Sequence, residues 1–97
     1  MDYDLIMNII FAAASSFSEQ TLIALTKLDH NIVAVLTQPD RRSGRGLKKT
    51  ENPIKFMART LELPVLEYES LTNPEAYETI NKLAPDLLLT MAYGGHV

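Results

Sequence analysis

An open α/β fold built on a parallel sheet of about four strands is what this sequence predicts, and three observations carry the prediction. Short, almost wholly apolar runs alternate with segments of helical period along all 97 residues. The first and longest run has almost no polar face, which is the pattern of a strand covered on both sides. The segments between them open on cap residues and stop at breakers, so each run reaches the next by a crossover, and strands joined this way pair in parallel. There is no internal repeat, no low-complexity tract and no interdomain linker, so residues 1–97 read as one small domain.

The first run, residues 5–14, is a strand with Asn8 as its one polar interior position. Ser16-Phe17-Ser18-Glu19 has the spacing of a capping box and predicts a helix to about Leu28, with Leu22, Leu25 and Leu28 on one side. Asp29-His30-Asn31 ends it, and His30 is expected in solvent or against the last carbonyls of that helix. Residues 32–37 are β-branched and apolar and form the second strand. Residues 38–51 show no apolar period and contain Pro39, Ser43, Gly44 and Gly46, so they read as a loop. Its length exceeds the roughly 2 to 6 residues usual between a strand and a helix, which marks it as either functional or disordered. Asn52-Pro53 then opens a helix by cap and first-turn proline. Ile54, Met57, Ala58 and Leu61 share its inner face, with Lys55 and Arg59 toward solvent. Residues 63–68 form the third strand. Asn73-Pro74-Glu75 opens a third helix with Tyr77, Ile80 and Leu83 inward, Pro85 stops it, and residues 86–93 form the fourth strand.

Composition bounds the function classes. An apolar share of 46% with 22% charged residues fits a packed globular chain. The absence of cysteine removes disulfides and thiolate metal sites, and no set of residues suggests any other metal site. No apolar run approaches the roughly 20 residues of a membrane span, and the acidic start Met1-Asp2-Tyr3-Asp4 is unlike a signal peptide, so a cytoplasmic protein without membrane partners is expected. The net charge of −3 is unevenly spread. Between residues 39 and 59 stand Arg41, Arg42, Arg45, Lys48, Lys49, Lys55 and Arg59 against only Asp40 and Glu51, whereas the remainder holds ten acids against Lys27 and Lys82. A basic island in an acidic chain predicts one local anionic partner.

Open parallel sheets bind ligands beyond the carboxyl ends of their strands, which in this chain means residues 13–16, 37–49 and 92–95. A dinucleotide site would need Gly-x-Gly-x-x-Gly after the first strand, but the chain reads Ala12-Ala13-Ala14-Ser15-Ser16-Phe17, so dinucleotide binding is not expected. Helix-terminal amides there suit at most a single anion, and a plain helix cap is the simpler reading. His30 and His96 have no partner pattern for catalysis.

The segment Thr37-Gln38-Pro39-Asp40-Arg41-Arg42-Ser43-Gly44-Arg45-Gly46-Leu47-Lys48-Lys49 resembles the loop that distinguishes methionyl-tRNA formyltransferases from other folate-dependent formyltransferases. Ile9-Ile10-Phe11-Ala12, Asn52-Pro53-Ile54-Lys55, Leu63-Pro64-Val65 and Ala92-Tyr93-Gly94 are similar to further segments of that family in the same order, over about residues 7 to 94. The resemblance implies a Rossmann-like formyltransferase amino-terminal subdomain, incomplete at its carboxyl end. It implies an enzyme that moves a formyl group from 10-formyltetrahydrofolate to the amino group of initiator methionyl-tRNA. In the family the loop meets the tRNA acceptor stem. Arg45 matches its central arginine, Gly44 and Gly46 shape the loop around it, Arg41, Arg42, Lys48 and Lys49 supply further RNA contacts, and Ala92, Tyr93 and Gly94 lie near the folate site.

The family's asparagine, histidine and aspartate catalytic set falls beyond the position of Val97, and His96 is not its histidine. The resemblance thus implies no catalytic residue within residues 1–97, no folate held by the chain alone, and tRNA contact as the assignable role. A stand-alone RNA-binding module and an inert truncated remnant are the alternatives. Where the family has Gly-Thr-Pro after its first strand, this chain has Ala13-Ala14-Ser15. Residues 41–49, rich in like charge and glycine, are expected to move freely without RNA.

Overall fold

The computed structural model describes residues 6–39, 41–43, 48–50, 52–91 and 93, with residues 41–43 and 48–50 described by their backbone. Strand β1 (Asn8–Ala13) leads through a short 3-10 turn (Ser16–Ser18) into helix α1 (Glu19–Thr26). Strand β2 (Asn31–Thr37) follows, then a small ribbon of β3 (Arg41–Ser43) and β4 (Lys48–Thr50). Helix α2 (Pro53–Thr60), strand β5 (Val65–Glu67), helix α3 (Pro74–Leu83) and strand β6 (Leu87–Met91) complete the fold. The main sheet has the order β5-β2-β1-β6, and every pairing in it is parallel. The α/β class and the four parallel strands are those the sequence predicts.

β1 is central because it is the most apolar stretch of the chain: Ile9 to Ala13 are all buried. Its alternate residues feed two cores, as the strand's two-residue period requires. On one face Phe11, Ala13 and Val35 pack with Leu22 of α1 and with Ile54 and Ala58 of α2. On the other, Ile10, Ala12, Ala34 and Leu36 pack with Tyr93, with Ile80 of α3 alongside. Both proline-opened helices are capped as expected. The Asn52 Oδ1 accepts from the amides of Ile54 at 2.8 Å and Lys55 at 3.2 Å, and the Asn73 Oδ1 accepts from Glu75 at 2.7 Å. α3 ends where Ala84 turns left-handed at φ 45°, one residue before Pro85.

Five local expectations are corrected. The capping box does not form. Ser15 caps the turn by accepting the Phe17 amide at 3.1 Å, and Ser18, fully buried, carries no capping bond and instead reaches the Met91 carbonyl at 3.5 Å. α1 ends at Thr26, whose hydroxyl turns back on the Ile23 carbonyl at 2.6 Å, and Leu28 beyond it is half exposed. His30 neither lies free nor caps the helix, because its Nδ1 accepts the Met7 amide at 3.0 Å and so ties the entry of β1 to the entry of β2. On α3 the small Ala76 is buried, and this rotates Tyr77 outward to 65% exposure. Lys55 leans across to Glu67 of β5 at 3.3 Å, so it is not a solvent-facing side chain. Propensity and spacing located these elements, while the neighbour each side chain finds depended on packing.

Candidate nucleic-acid interface

Residues 38–51, expected to be a loop, contain a two-stranded antiparallel ribbon. Its register sets Arg41 opposite Thr50, Arg42 opposite Lys49 and Ser43 opposite Lys48. The pairing uses main-chain groups, which explains why no apolar alternation announced it. Four of the six paired positions are Arg or Lys, and Arg42 and Lys49 hold directly opposed register positions. Like charges at opposed positions destabilise a ribbon, so an isolated one of this composition is held at a cost. A polyanion laid against it removes that cost. The tip, Gly44-Arg45-Gly46-Leu47, lies outside the described residues, and with it the expected central arginine, both shaping glycines and the free movement expected of that stretch.

The ribbon stands at the carboxyl end of β2, and its two feet are buried. Gln38, which leaves β2, and Asn52, which enters α2, are 6% and 8% exposed. The Asn52 Nδ2 donates to the Gln38 carbonyl at 2.8 Å, closing the base of the ribbon. The Gln38 Nε2 donates to the Glu69 carbonyl just past β5 at 3.0 Å. Neither carboxamide stands out in the sequence as a support for the ribbon. Asn52 reads there only as a cap, and the signal that could have raised it was a polar pair flanking an inserted basic segment. Beside them Thr37 is fully buried, and its Oγ1 has no partner among the described residues.

The second expected site lies beyond β1 and β6. The turn after β1 needs no glycine. Ser15 sits in the extended region at φ −89°, and among the described residues Glu62 and Ala84 are the non-glycine positions of positive φ. Ala13-Ala14-Ser15 therefore makes this turn without backbone strain. Tyr93 is 9% exposed, packs with Ile10, Ala12, Ala34 and Leu36, and donates its hydroxyl to the Tyr68 carbonyl. Burial pushes its phenol up from 10.0 to about 12, so this side chain stays a neutral part of that core. Ala92 and Gly94 lie outside the described residues. Among the described residues no three His, Cys, Asp or Glu converge as metal ligands, and no helix is long and apolar enough to cross a membrane.

The chain is 47% identical over 89 residues to the methionyl-tRNA formyltransferase of Francisella tularensis subsp. novicida (strain U112). It is 40% identical over 88 residues to that of Nitrosomonas eutropha (strain DSM 101675 / C91 / Nm57). Each match takes in 91% of this chain and 28% of the relative, so the chain spans little more than a quarter of the length of these curated relatives. The sequence model of the formyl transferase family matches residues 5–95. With a parallel sheet in the order β5-β2-β1-β6 and a match over nearly its whole length, the chain belongs to the formyl transferase family.

Proposed function

We propose that this chain is part of a methionyl-tRNA formyltransferase and that its basic ribbon contacts initiator methionyl-tRNA. The observation that carries the reading is the ribbon, whose register sets Arg42 opposite Lys49 at the carboxyl end of β2, a concentration of positive charge that suits a polyanion. The 47% identity to an enzyme named for methionyl-tRNA supports a tRNA of that kind as the partner. The reaction is formyl transfer from 10-formyltetrahydrofolate to the methionyl amino group. It needs a base for the attacking amine and a donor for the oxyanion formed on the formyl carbon. By the family resemblance the residues that supply them lie outside residues 1–97, so the purified chain is expected to form no formyl-methionyl-tRNA. Formation of that product with time, above a control without protein, refutes this part of the reading.

Arg45 is the ribbon residue expected to matter most. A planar guanidinium between two glycines can bond a phosphate or base edge in two places, so Arg45→Ala costs roughly 1 to 3 kcal/mol in RNA binding. Arg45→Lys does not restore it, because an ammonium lacks the fork. Equilibrium binding of initiator tRNA, with an elongator tRNA as control, measures both. Equal affinity of the Arg45→Ala chain and the parent assigns the ribbon no part in RNA recognition.

A further inference from the structure

The two buried carboxamides at the feet of the ribbon do different work from the cations above them. We propose that Asn52, with Gln38, is a positioning residue for RNA recognition: its carboxamide clamps the feet together and so fixes where the basic ribbon points. The inference rests on the reading of the ribbon as the RNA contact.

The geometry is specific. One end of the Asn52 carboxamide, Oδ1, accepts the amides of Ile54 and Lys55 and caps α2. The other, Nδ2, donates to the Gln38 carbonyl across the base of the insertion. Residues separated by 14 positions in the chain are thereby held at one hydrogen bond, 2.8 Å long. Gln38 carries the tie onward to the Glu69 carbonyl, so the foot is fixed to the segment after β5 as well as to α2. Both side chains are more than nine-tenths buried, where a hydrogen bond is not exchanged for one to water. A two-stranded ribbon is marginal by itself. Fixed feet convert its attachment from a pair of hinges into a rigid mount, and the ordering that RNA binding would otherwise have to impose is already present in the free chain.

The cap and the clamp can be separated because they use different atoms of one side chain. Serine is as good a cap as asparagine but has no group that reaches as the Nδ2 does, so Asn52→Ser keeps α2 and releases the foot. Gln38→Met, similar in length and uncharged, removes the second tie. Initiator tRNA binding by the 97-residue chain and these variants is measured together with amide exchange of the ribbon, α2 and β1. Asn52→Ser is expected to weaken binding by about three- to tenfold, the range that ordering one or two side chains implies, without changing the salt slope. Exchange in residues 41–43 and 48–50 should quicken while α2 and β1 stay as protected as in the parent. Gln38→Met should move both readouts in the same direction.

Parental affinity for both variants, with Arg45→Ala still weakened, overturns the clamp and leaves the ribbon reading standing. Loss of protection throughout α2 and β1 in Asn52→Ser also overturns it, since Asn52 would then serve the fold alone. If Arg45→Ala binds like the parent, the underlying reading fails and the clamp has nothing to position.

Discussion

Tyr93 shows how far one side chain can be committed by its neighbours. Its ring closes the core face formed by Ile10, Ala12, Ala34 and Leu36, and its hydroxyl must then find a partner inside, which it does at the Tyr68 carbonyl. Burial raises its pKa from 10.0 to about 12. As pH climbs, the unfolded chain releases this proton first and so binds fewer protons than the folded one. The contribution to stability is therefore complete below the unfolded value of 10.0 and is lost as pH rises toward about 12. Denaturant unfolding across that window should show the decline in the parent and a shallower one in Tyr93→Phe, which at neutral pH should itself be weaker by about 0.5 to 1.5 kcal/mol for the lost bond. A gap between the two that does not change with pH would refute the raised value. In the sequence Tyr93 reads as a neighbour of the folate site, and residue type alone gives no hint that its hydroxyl turns inward.

The ribbon is the element whose chemistry and stability oppose each other. Because Arg42 stands opposite Lys49, reversing one of the two charges should tighten the ribbon while spoiling its use. Lys49→Glu is expected to stabilise the cross-strand pair by about 0.2 to 1 kcal/mol. The same change should lower affinity for initiator tRNA more than Lys49→Ala does. Slower amide exchange in β3 and β4 with weaker RNA binding is the expected joint result, and RNA binding at parental strength would count against the ribbon as an electrostatic contact. At the same scale, strand β6 shows how an element can be recognised and its surroundings still missed. Its run of leucines reads as a strand, yet among the described residues it pairs only with β1, at the edge of the sheet, and Leu87 and Leu88 are each 39% exposed. Hydrophobic pattern reports what a strand is able to bury, whereas exposure depends on which neighbours are present.

Across the whole molecule, charge is segregated so that one basic window is carried by an otherwise acidic chain. If the proposed RNA contact holds, counterion release is confined to this window and the remaining acidic surface repels the polyanion, so affinity should fall steeply but not extremely with salt. Lys48→Ala and Lys49→Ala should each reduce the slope of log affinity against log salt by about 0.7 to 0.9, the amount one lost phosphate contact implies. A slope unchanged by both substitutions would place the RNA contact elsewhere on the surface.

The sequence by itself determined the class of fold, the succession along the chain of the four sheet strands and the helices between them, the cap at Asn52, the opening of a helix at Asn73-Pro74, and the position of the basic insertion. Each of these depends on local spacing, on single residues with special backbone preferences, or on net charge, all of which can be read without knowing what lies nearby. Tertiary structure alone decided that residues 41–43 and 48–50 pair, that His30 binds the Met7 amide, that Tyr77 faces out, and that Asn52 reaches Gln38. Those outcomes rest on groups far apart in the chain competing for the same few donors, acceptors and cavities, and a hydrogen bond across 14 or 23 residues leaves no period in the sequence for its ends to be recognised by.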